Sequence, residues 1–318
     1  MKLRAIIGLL RTALITAVLF VTGCLVPFGG ALAMIFAPLP VMDYAIGHED
    51  WRLRSIASVA LAAGGVTLAV GWPAGVAYLV SFGLASVIIC HMLEDRRPFE
   101  LIVLVTSATM LIAGTFAAFA AVGSPVALAD ALRHALSAGM TRGEHFYRLL
   151  GMDNPFTAEA KASVLNLTIR LSPALVGLSA ACAVLLNLGV FWRRLDRGRL
   201  GYRLFADLAR WSAPEWLIWL LLATGFALFV PVAAISTIAL DGFVCVATIY
   251  FCQGLAIMAF YFKMLSMPGL ARGLIYFVTG IQPVLAALVC AAGIFDLWID
   301  FRRLKPQSPE AGSFGDFL

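Results

Sequence analysis

Long apolar runs separated by short arginine clusters dominate this sequence. A helix needs about 20 mostly apolar residues to cross the hydrocarbon layer of a membrane. Nine segments approach that length: 12–26, 30–46, 55–70, 73–93, 99–122, 173–192, 214–230, 238–262 and 272–298. The pattern therefore predicts an all-α fold, a polytopic membrane helical bundle with eight or nine transmembrane segments.

The second run is interrupted by Pro38 and Pro40, directly before Asp43 and Tyr44. Proline removes a backbone donor, and a broken helix at membrane depth is tolerated where it lines a cavity or packs on protein. Asp43 and Tyr44 are therefore candidate ligand-binding residues, as is Asp241 in the eighth run, because intramembrane carboxylates are costly. The alternative is that these carboxylates are solvated at the membrane interface.

A polar stretch at 123–172 separates the apolar runs into two groups. Ser124-Pro125 and Thr157 have the residue types that begin helices, and apolar residues between 126 and 136 recur at spacings of three to four. We expect an external amphipathic helical insertion. The chain then divides into a transmembrane half at 1–122, the insertion, a second transmembrane half at 173–304 and a disordered tail at 305–318.

The basic clusters predict the orientation, because lysine and arginine concentrate in cytoplasmic loops. Most clusters fall on one side when the N-terminus is cytoplasmic, which suits a multi-pass membrane protein. Nine crossings would leave Arg302 outside, so we expect that one segment does not cross. The strongest cluster could bind anionic lipids or a cytoplasmic partner, although topology alone also explains it; its members are Arg193, Arg194, Arg197 and Arg199.

Composition supports the membrane class and excludes others. Hydrophobic residues make up 62% of the 318 residues and charged residues 13%, about half the charge of a soluble domain. The net charge of +5 lies in loops between apolar runs, so no nucleic-acid partner is predicted. No nucleotide-binding, metal or catalytic motif is present in the sequence, so we expect no cofactor, and an enzyme is not the leading hypothesis.

Several polar residues in the second half are expected to have structural roles. Asn187 and Gln253 interrupt apolar runs, where amides commonly bond between helices. Asp296 and Asp300 share a helical face near the end of the last run, and Arg302 or Arg303 could neutralise them. We interpret Asp296 as a structural anchor.

The second half carries a family resemblance. Its marks are Pro173 before a run that contains Asn187 and ends in Arg193-Arg194, the stretch from Tyr250 to Ala256, and the closing stretch from Gly293 to Arg303. The sequence thus resembles the YybS-like family of bacterial inner-membrane proteins, a domain of unknown function. That family is distantly similar in pattern to the substrate-binding membrane components of energy-coupling-factor transporters.

The resemblance implies partners. In those transporter components a small-residue pattern in the first helix meets the coupling subunit, and Ala13 and Ala17 match that pattern here. The resemblance implies that coupling and ATPase subunits are partners of the protein, in addition to the lipid bilayer. The leading hypothesis is a substrate-binding or transport-associated membrane component, which an outward cavity at the candidate residues would favour. The alternative is a membrane scaffold or assembly factor that recruits cytoplasmic proteins through its basic inner loops.

Overall fold

The computed structural model describes residues 2–26, 29–149, 157–194 and 208–302. Within these ranges every regular element is a helix, which confirms the all-α prediction. The chain forms two compact units, Met1–Leu204 and Phe205–Leu318. The predicted four-part division stays a prediction, and the expected tail at 305–318 lies outside the described residues.

The first unit is a bundle of apolar helices with a polar pair of helices attached. Its helices are α1 (Lys2–Leu25), α2 (Gly29–Ile35), α3 (Pro38–Ala45), α4 (Trp51–Val70), α5 (Trp72–Tyr78), α6 (Leu84–Glu94), α7 (Phe99–Val122), α8 (Pro125–Leu149), α9 (Ala158–Arg170) and α10 (Ser172–Arg194). A π-helical turn, Leu79–Gly83, joins α5 to α6, so that Trp72–Glu94 forms one continuous apolar segment.

Glycines end two of the long helices. Gly71 ends α4 with φ of 115°, and Gly123 ends α7 with φ of 82°. Glycine adopts this left-handed region without the steric cost of a Cβ atom. The chain therefore turns at both positions, and each next helix begins within two residues.

The short helices α2 and α3 run back along α1. At one end, Gly30 lies against the backbone of Thr22, so closely that a Cβ atom there would overlap the Thr22 carbonyl. At the other end, the Tyr44 hydroxyl donates to the Ala5 carbonyl at 2.8 Å. The predicted second segment is therefore broken, as its prolines indicated, yet it follows α1 over most of its length.

The arginine-bearing ends of these helices meet at one end of the unit. The Tyr44 bond to Ala5 brings the start of α1 to the end of α3. The Gly47 amide donates to the Glu94 carboxylate at 2.8 Å, which brings the end of α6 to the same place. We call this the arginine end; it carries Arg4, Arg11, Arg52, Arg54, Arg96, Arg97, Arg193 and Arg194.

The polar insertion lies beyond the far end of α7. Its first helix begins at Pro125, where the Ser124 hydroxyl accepts a hydrogen bond from the Ala127 amide. Its second helix is capped by the Thr157 hydroxyl, which accepts from the Ala160 amide. Both predicted helix starts are confirmed. Because α7 has 24 residues, about 36 Å of helix separates the insertion from the arginine end.

The second unit contains the longest helix. Its helices are α11 (Leu217–Ala227), α12 (Ala233–Met264), α13 (Gly269–Ile281) and α14 (Pro283–Ile299). The axes of α13 and α14 differ by 102° at a break that contains Gln282. Pro283, which cannot donate to the preceding turn, explains why the helix is interrupted there.

The number of spans is smaller than expected. Six helical segments of the described chain are long and apolar enough to cross a membrane, or seven if the bent pair of α13 and α14 counts as one span. The expected count of eight or nine is not confirmed. The physical reasons are local: prolines split the second predicted segment, α11 has only 11 residues, and the last segment is bent.

Candidate ligand-binding pocket

A pocket of about 440 Å³ lies at the arginine end of the first unit. Its walls come from α1, α3, the start of α4 and the end of α10. The lining residues are Gly8, Arg11, Thr12, Ile15, Pro40, Asp43, Tyr44, His48, Arg54 and Arg194. This volume is in the lower part of the range of about 300–1,000 Å³ that is typical of small-molecule sites.

Tyr44 joins α3 to α1 along one wall of the pocket. Its hydroxyl donates to the Ala5 carbonyl, and its ring covers Gly8, where a Cβ atom would lie 2.8 Å from the ring. The Arg54 guanidinium lies over the same ring, 5.0 Å from its centroid. A small residue at position 8 is therefore needed for the tyrosine to reach α1.

Asp50 holds Arg54 from a second side, because the Asp50 Oδ1 atom lies 2.5 Å from the Arg54 Nε atom. This hydrogen bond lowers the pKa of the Asp50 carboxyl below its ordinary value. The two residues are one helical turn apart, and Asp50 is at the cap position of α4. Arg54 is thus positioned by a carboxylate and an aromatic ring at once, and part of its charge is already compensated.

Asp43 and Arg194 form an ion pair within the pocket lining. The Asp43 Oδ2 atom and the Arg194 Nη1 atom are 3.5 Å apart, and the side chains are 39% and 61% exposed. Exposed ion pairs contribute about 0–1 kcal/mol, since solvent screens them. An incoming charged group could therefore rearrange this pair at small cost.

Arg11 differs from the other two arginines of the pocket. Its side chain is exposed, and among the described residues it has no carboxylate within ion-pair distance. The pocket is lined by three guanidinium groups and one carboxylate, so its formal charge is positive. An anion, rather than a cation, is the ligand that this arrangement favours.

A family model described as "Predicted membrane protein (DUF2232)" matches residues 14–297. The chain belongs to this family. The match includes Asp43, Tyr44, Arg54 and Arg194, and it begins after Arg11. Neither a curated protein nor a solved structure matches the sequence significantly.

These comparisons support the coarser part of the resemblance. The chain is a membrane protein of a family of unknown function, with several apolar helices that suit a multi-pass arrangement. The YybS-like resemblance and the similarity to energy-coupling-factor components are not confirmed.

Two of the three predicted ligand-binding residues share this pocket. Asp43 and Tyr44 line it, and Arg194 joins them from 150 residues further along the chain. Asp241 belongs to α12 of the second unit, where it is half-buried, and it is not among the lining residues of this pocket. Of the predicted basic cluster, Arg193 and Arg194 are exposed at the end of α10, whereas Arg197 and Arg199 lie outside the described residues.

Ala13 and Ala17 are buried inside the first unit. They are 6% and 8% exposed and belong to its apolar core with Val59, Ala62 and Val66 of α4. Small side chains allow two helices to approach closely, and here that approach is to a helix of the same chain. Both alanines are therefore covered within the unit, and the contact with a coupling subunit stays a prediction.

Arg11 and Arg54 belong to the basic clusters whose sequence pattern predicted only the orientation of the chain. One signal could have revealed Arg11 as more than that, because it lies seven residues inside an apolar helix whose basic start is at Arg4. Intramembrane ionisable residues are functional candidates by default. Arg54 carried no such signal, since it sits among the charges of a loop.

In the second unit, Asp296 is held by three hydrogen bonds. It accepts from the Arg302 guanidinium at 2.7 Å, from the Gln253 amide at 3.0 Å and from the backbone amide of Phe301 at 3.0 Å. The side chains of Asp296 and Arg302 are only 5% and 1% exposed. Gln253 also accepts from the Ala213 amide at 3.1 Å.

Arg302 extends this network to the segment before α11. It donates to the carbonyls of Ala209 and Trp211 at 3.0 and 2.8 Å. The bonds from Gln253 and from Arg302 to Ala209 and Trp211 join segments that are distant in sequence, and the Phe301 amide fixes Asp296 locally at the end of α14. This geometry agrees with the interpretation of Asp296 as a structural anchor and with a packing role for Gln253.

The described residues contain no group of three or more His, Cys, Asp or Glu side chains that could hold a metal ion. His91 and Glu94 have residue types that bind metals and share a helical face at the end of α6. Each of them contacts another part of the protein. His91 stacks on Trp51 with centroids 5.6 Å apart, and Glu94 accepts from the Gly47 amide. The charged, polar and apolar side chains that line the pocket at the arginine end can bind a ligand by charge, hydrogen bonds and apolar contact.

Proposed function

We propose that this protein is a ligand-binding component of the bacterial inner membrane, of the substrate-binding or transport-associated kind, with its N-terminus in the cytoplasm. The observation that carries the proposal is the pocket at the arginine end, where Asp43 and Tyr44 meet Arg11, Arg54 and Arg194. Residues from four separate segments converge there, and several are held by contacts that leave the cavity open. A concave site with a few convergent polar groups is the usual form of a small-molecule site.

The proposed orientation determines which side of the membrane the pocket faces. Lysine and arginine concentrate in cytoplasmic loops, and this end carries the basic clusters of the first unit. The pocket then faces the cytoplasm, whereas the outward cavity expected of a transport component would have faced the outside. A component that delivers or receives its ligand at the inner surface fits this arrangement.

The experiment fills the pocket without changing its charge. Ile15 lines the cavity and is 43% exposed, so Ile15→Trp adds an indole there at little cost to folding. The matched control is Leu14→Trp, since Leu14 is the next residue, 65% exposed and not part of the lining. The proteins would be purified in a mild detergent and analysed by native mass spectrometry for small molecules that remain bound.

We expect the unmodified protein and Leu14→Trp to carry the same small molecule and Ile15→Trp to lose it. Equal retention in both tryptophan variants would mean that the ligand does not use this pocket. Absence of any bound molecule, with none restored by incubation with a membrane and cytosol extract, would also contradict the proposal.

The scaffold hypothesis is the second candidate. It is favoured by the exposure of Arg193 and Arg194 at the end of α10, since the sequence continues there with further arginines. Neutralising Arg193, Arg194, Arg197 and Arg199 together would then remove protein partners from a pull-down, while Ile15→Trp would leave them in place. Partner loss in Ile15→Trp and not in the arginine variant would contradict the scaffold.

A further inference from the structure

The chemistry of the pocket changes along α1. Arg11, Ile15 and Val18 share one face of the helix, at spacings of four and three residues. Arg11 and Ile15 line the pocket, and Val18, one turn further from the arginine end, is 54% exposed. The cationic part of this face is thus followed directly by an apolar part.

The apolar part continues outside the pocket. Leu14 and Val18 are 65% and 54% exposed, although they lie well inside a helix long and apolar enough to span a membrane. In a membrane-spanning helix, such residues contact lipid chains. The exposed apolar face of α1 that continues from Ile15 would therefore lie against the hydrocarbon layer beside the pocket.

The charged part suits a phosphate group. Guanidinium groups bind phosphate oxygens through paired hydrogen bonds, and such charge-assisted bonds are stronger than neutral ones. Arg54 is already compensated by Asp50, and Arg194 is loosely paired with Asp43, whereas Arg11 has no ion-pair partner among the described residues. Arg11 is thus the guanidinium that an anion would engage first.

We infer that the pocket takes the phosphate-bearing headgroup of an acidic lipid, with Arg11 as the principal contact and the lipid chains lying along Ile15 and Val18. This inference rests on the proposed function and names the class of ligand. The volume of about 440 Å³ suits a headgroup, while the chains stay on the exposed face of α1. A soluble phosphate ester offers the same phosphate but leaves the apolar face of α1 uncovered.

The test compares two neutralised arginines. Arg11→Gln removes the pocket cation, and Arg52→Gln removes an exposed arginine of the same end that is stacked on Trp51 and does not line the pocket. Each protein would be delipidated in detergent and titrated with dioleoyl phosphatidic acid, phosphatidylglycerol or phosphatidylcholine. Binding would be followed by native mass spectrometry, with sn-glycerol 3-phosphate as a soluble competitor.

We expect the acidic lipids to bind more tightly than phosphatidylcholine to the unmodified protein. Arg11→Gln should weaken acidic-lipid binding by about tenfold or more, as expected for the loss of a charge-assisted bond. Arg52→Gln should change it by less than about twofold, because an exposed charge outside the pocket is screened. Millimolar glycerol phosphate should not displace the lipid.

Three results would overturn the inference: no preference for acidic lipids, equal effects of the two substitutions, or displacement of the lipid by glycerol phosphate at similar affinity. These are distinguishable from failure of the proposed function. If Ile15→Trp expels a ligand that carries no phosphate, only the present inference fails. If Ile15→Trp and Leu14→Trp behave alike, the pocket itself is not the ligand site.

Discussion

Arg302 and Asp296 form an ion pair at 2.7 Å whose side chains are 1% and 5% exposed. Breaking a buried pair by removing one partner leaves an uncompensated charge, which costs about 3–5 kcal/mol. The same loss at the surface costs about 0–1 kcal/mol. Because the two costs differ so much, substitution in this pair is a sensitive test of what stabilises the second unit.

We expect Asp296→Asn to lower the thermal unfolding temperature in detergent by on the order of 10 °C. The control is Asp130→Asn, which removes an exposed carboxylate 3.6 Å from Arg133 and should change little. Unfolding followed by tryptophan fluorescence measures both. A variant that kept its stability but lost ligand binding would refute the anchor interpretation.

A close helix crossing in the same unit gives a second test. A Cβ atom added at Gly293 would overlap the Tyr250 carbonyl, whereas one added at Gly280 would meet no atom within 4 Å. Gly293→Ala should therefore destabilise the protein by about 1–3 kcal/mol or more through overpacking. Gly280→Ala should be neutral or slightly stabilising, because alanine favours helix. Equal unfolding temperatures for the two variants would contradict this packing.

The burial of Ala13 and Ala17 predicts that bulky residues there disturb the first unit itself. Ala13→Trp with Ala17→Trp should lower the folded yield and the unfolding temperature, since α4 lies against both positions. The control pair is Leu14→Trp with Val18→Trp, on the exposed side of the same helix. If the buried pair instead left the protein folded and removed only partner subunits from a pull-down, the coupling contact inferred from the resemblance would gain support.

The sign of the pocket charge predicts the effect of Asp43→Asn. Removing this carboxylate leaves Arg194 without a competing anion at 3.5 Å, so an anionic ligand should bind a few-fold more tightly. A cationic ligand should bind more weakly. Isothermal titration with dioleoyl phosphatidic acid gives the direction, and weaker binding would mean that Asp43 itself contacts the ligand.

The opposite ends of α7 predict accessibility from opposite sides of the membrane. In a variant without the six native cysteines, Ser137→Cys in α8 should react with an impermeant maleimide in intact cells. Glu49→Cys, exposed at the arginine end, should react only after permeabilisation. The reverse pattern would invert the proposed orientation, and labelling of both in intact cells would contradict a membrane crossing between them.

The local sequence pattern by itself determined the membrane class, the helical fold and several helix bounds of this protein. The membrane class, the helical fold and the approximate bounds of α4, α7 and α10 follow from local apolar runs, because a helix satisfies its own backbone within one segment. The helix starts at Pro125 and after Thr157 also follow from local residue types. The break at Pro38 and Pro40 was predictable for the same reason.

The tertiary structure decided which residues meet. Asp43 and Arg194 are 151 positions apart, and Gln253 and Asp296 are 43 apart, so no local pattern pairs them. Ala13 and Ala17 illustrate the same limit: a small-residue stripe indicates close helix contact but does not say whether the neighbour belongs to the same chain. Contacts between helices depend on how apolar faces pack in three dimensions, and the hydropathy of a segment is nearly the same whichever neighbour it contacts.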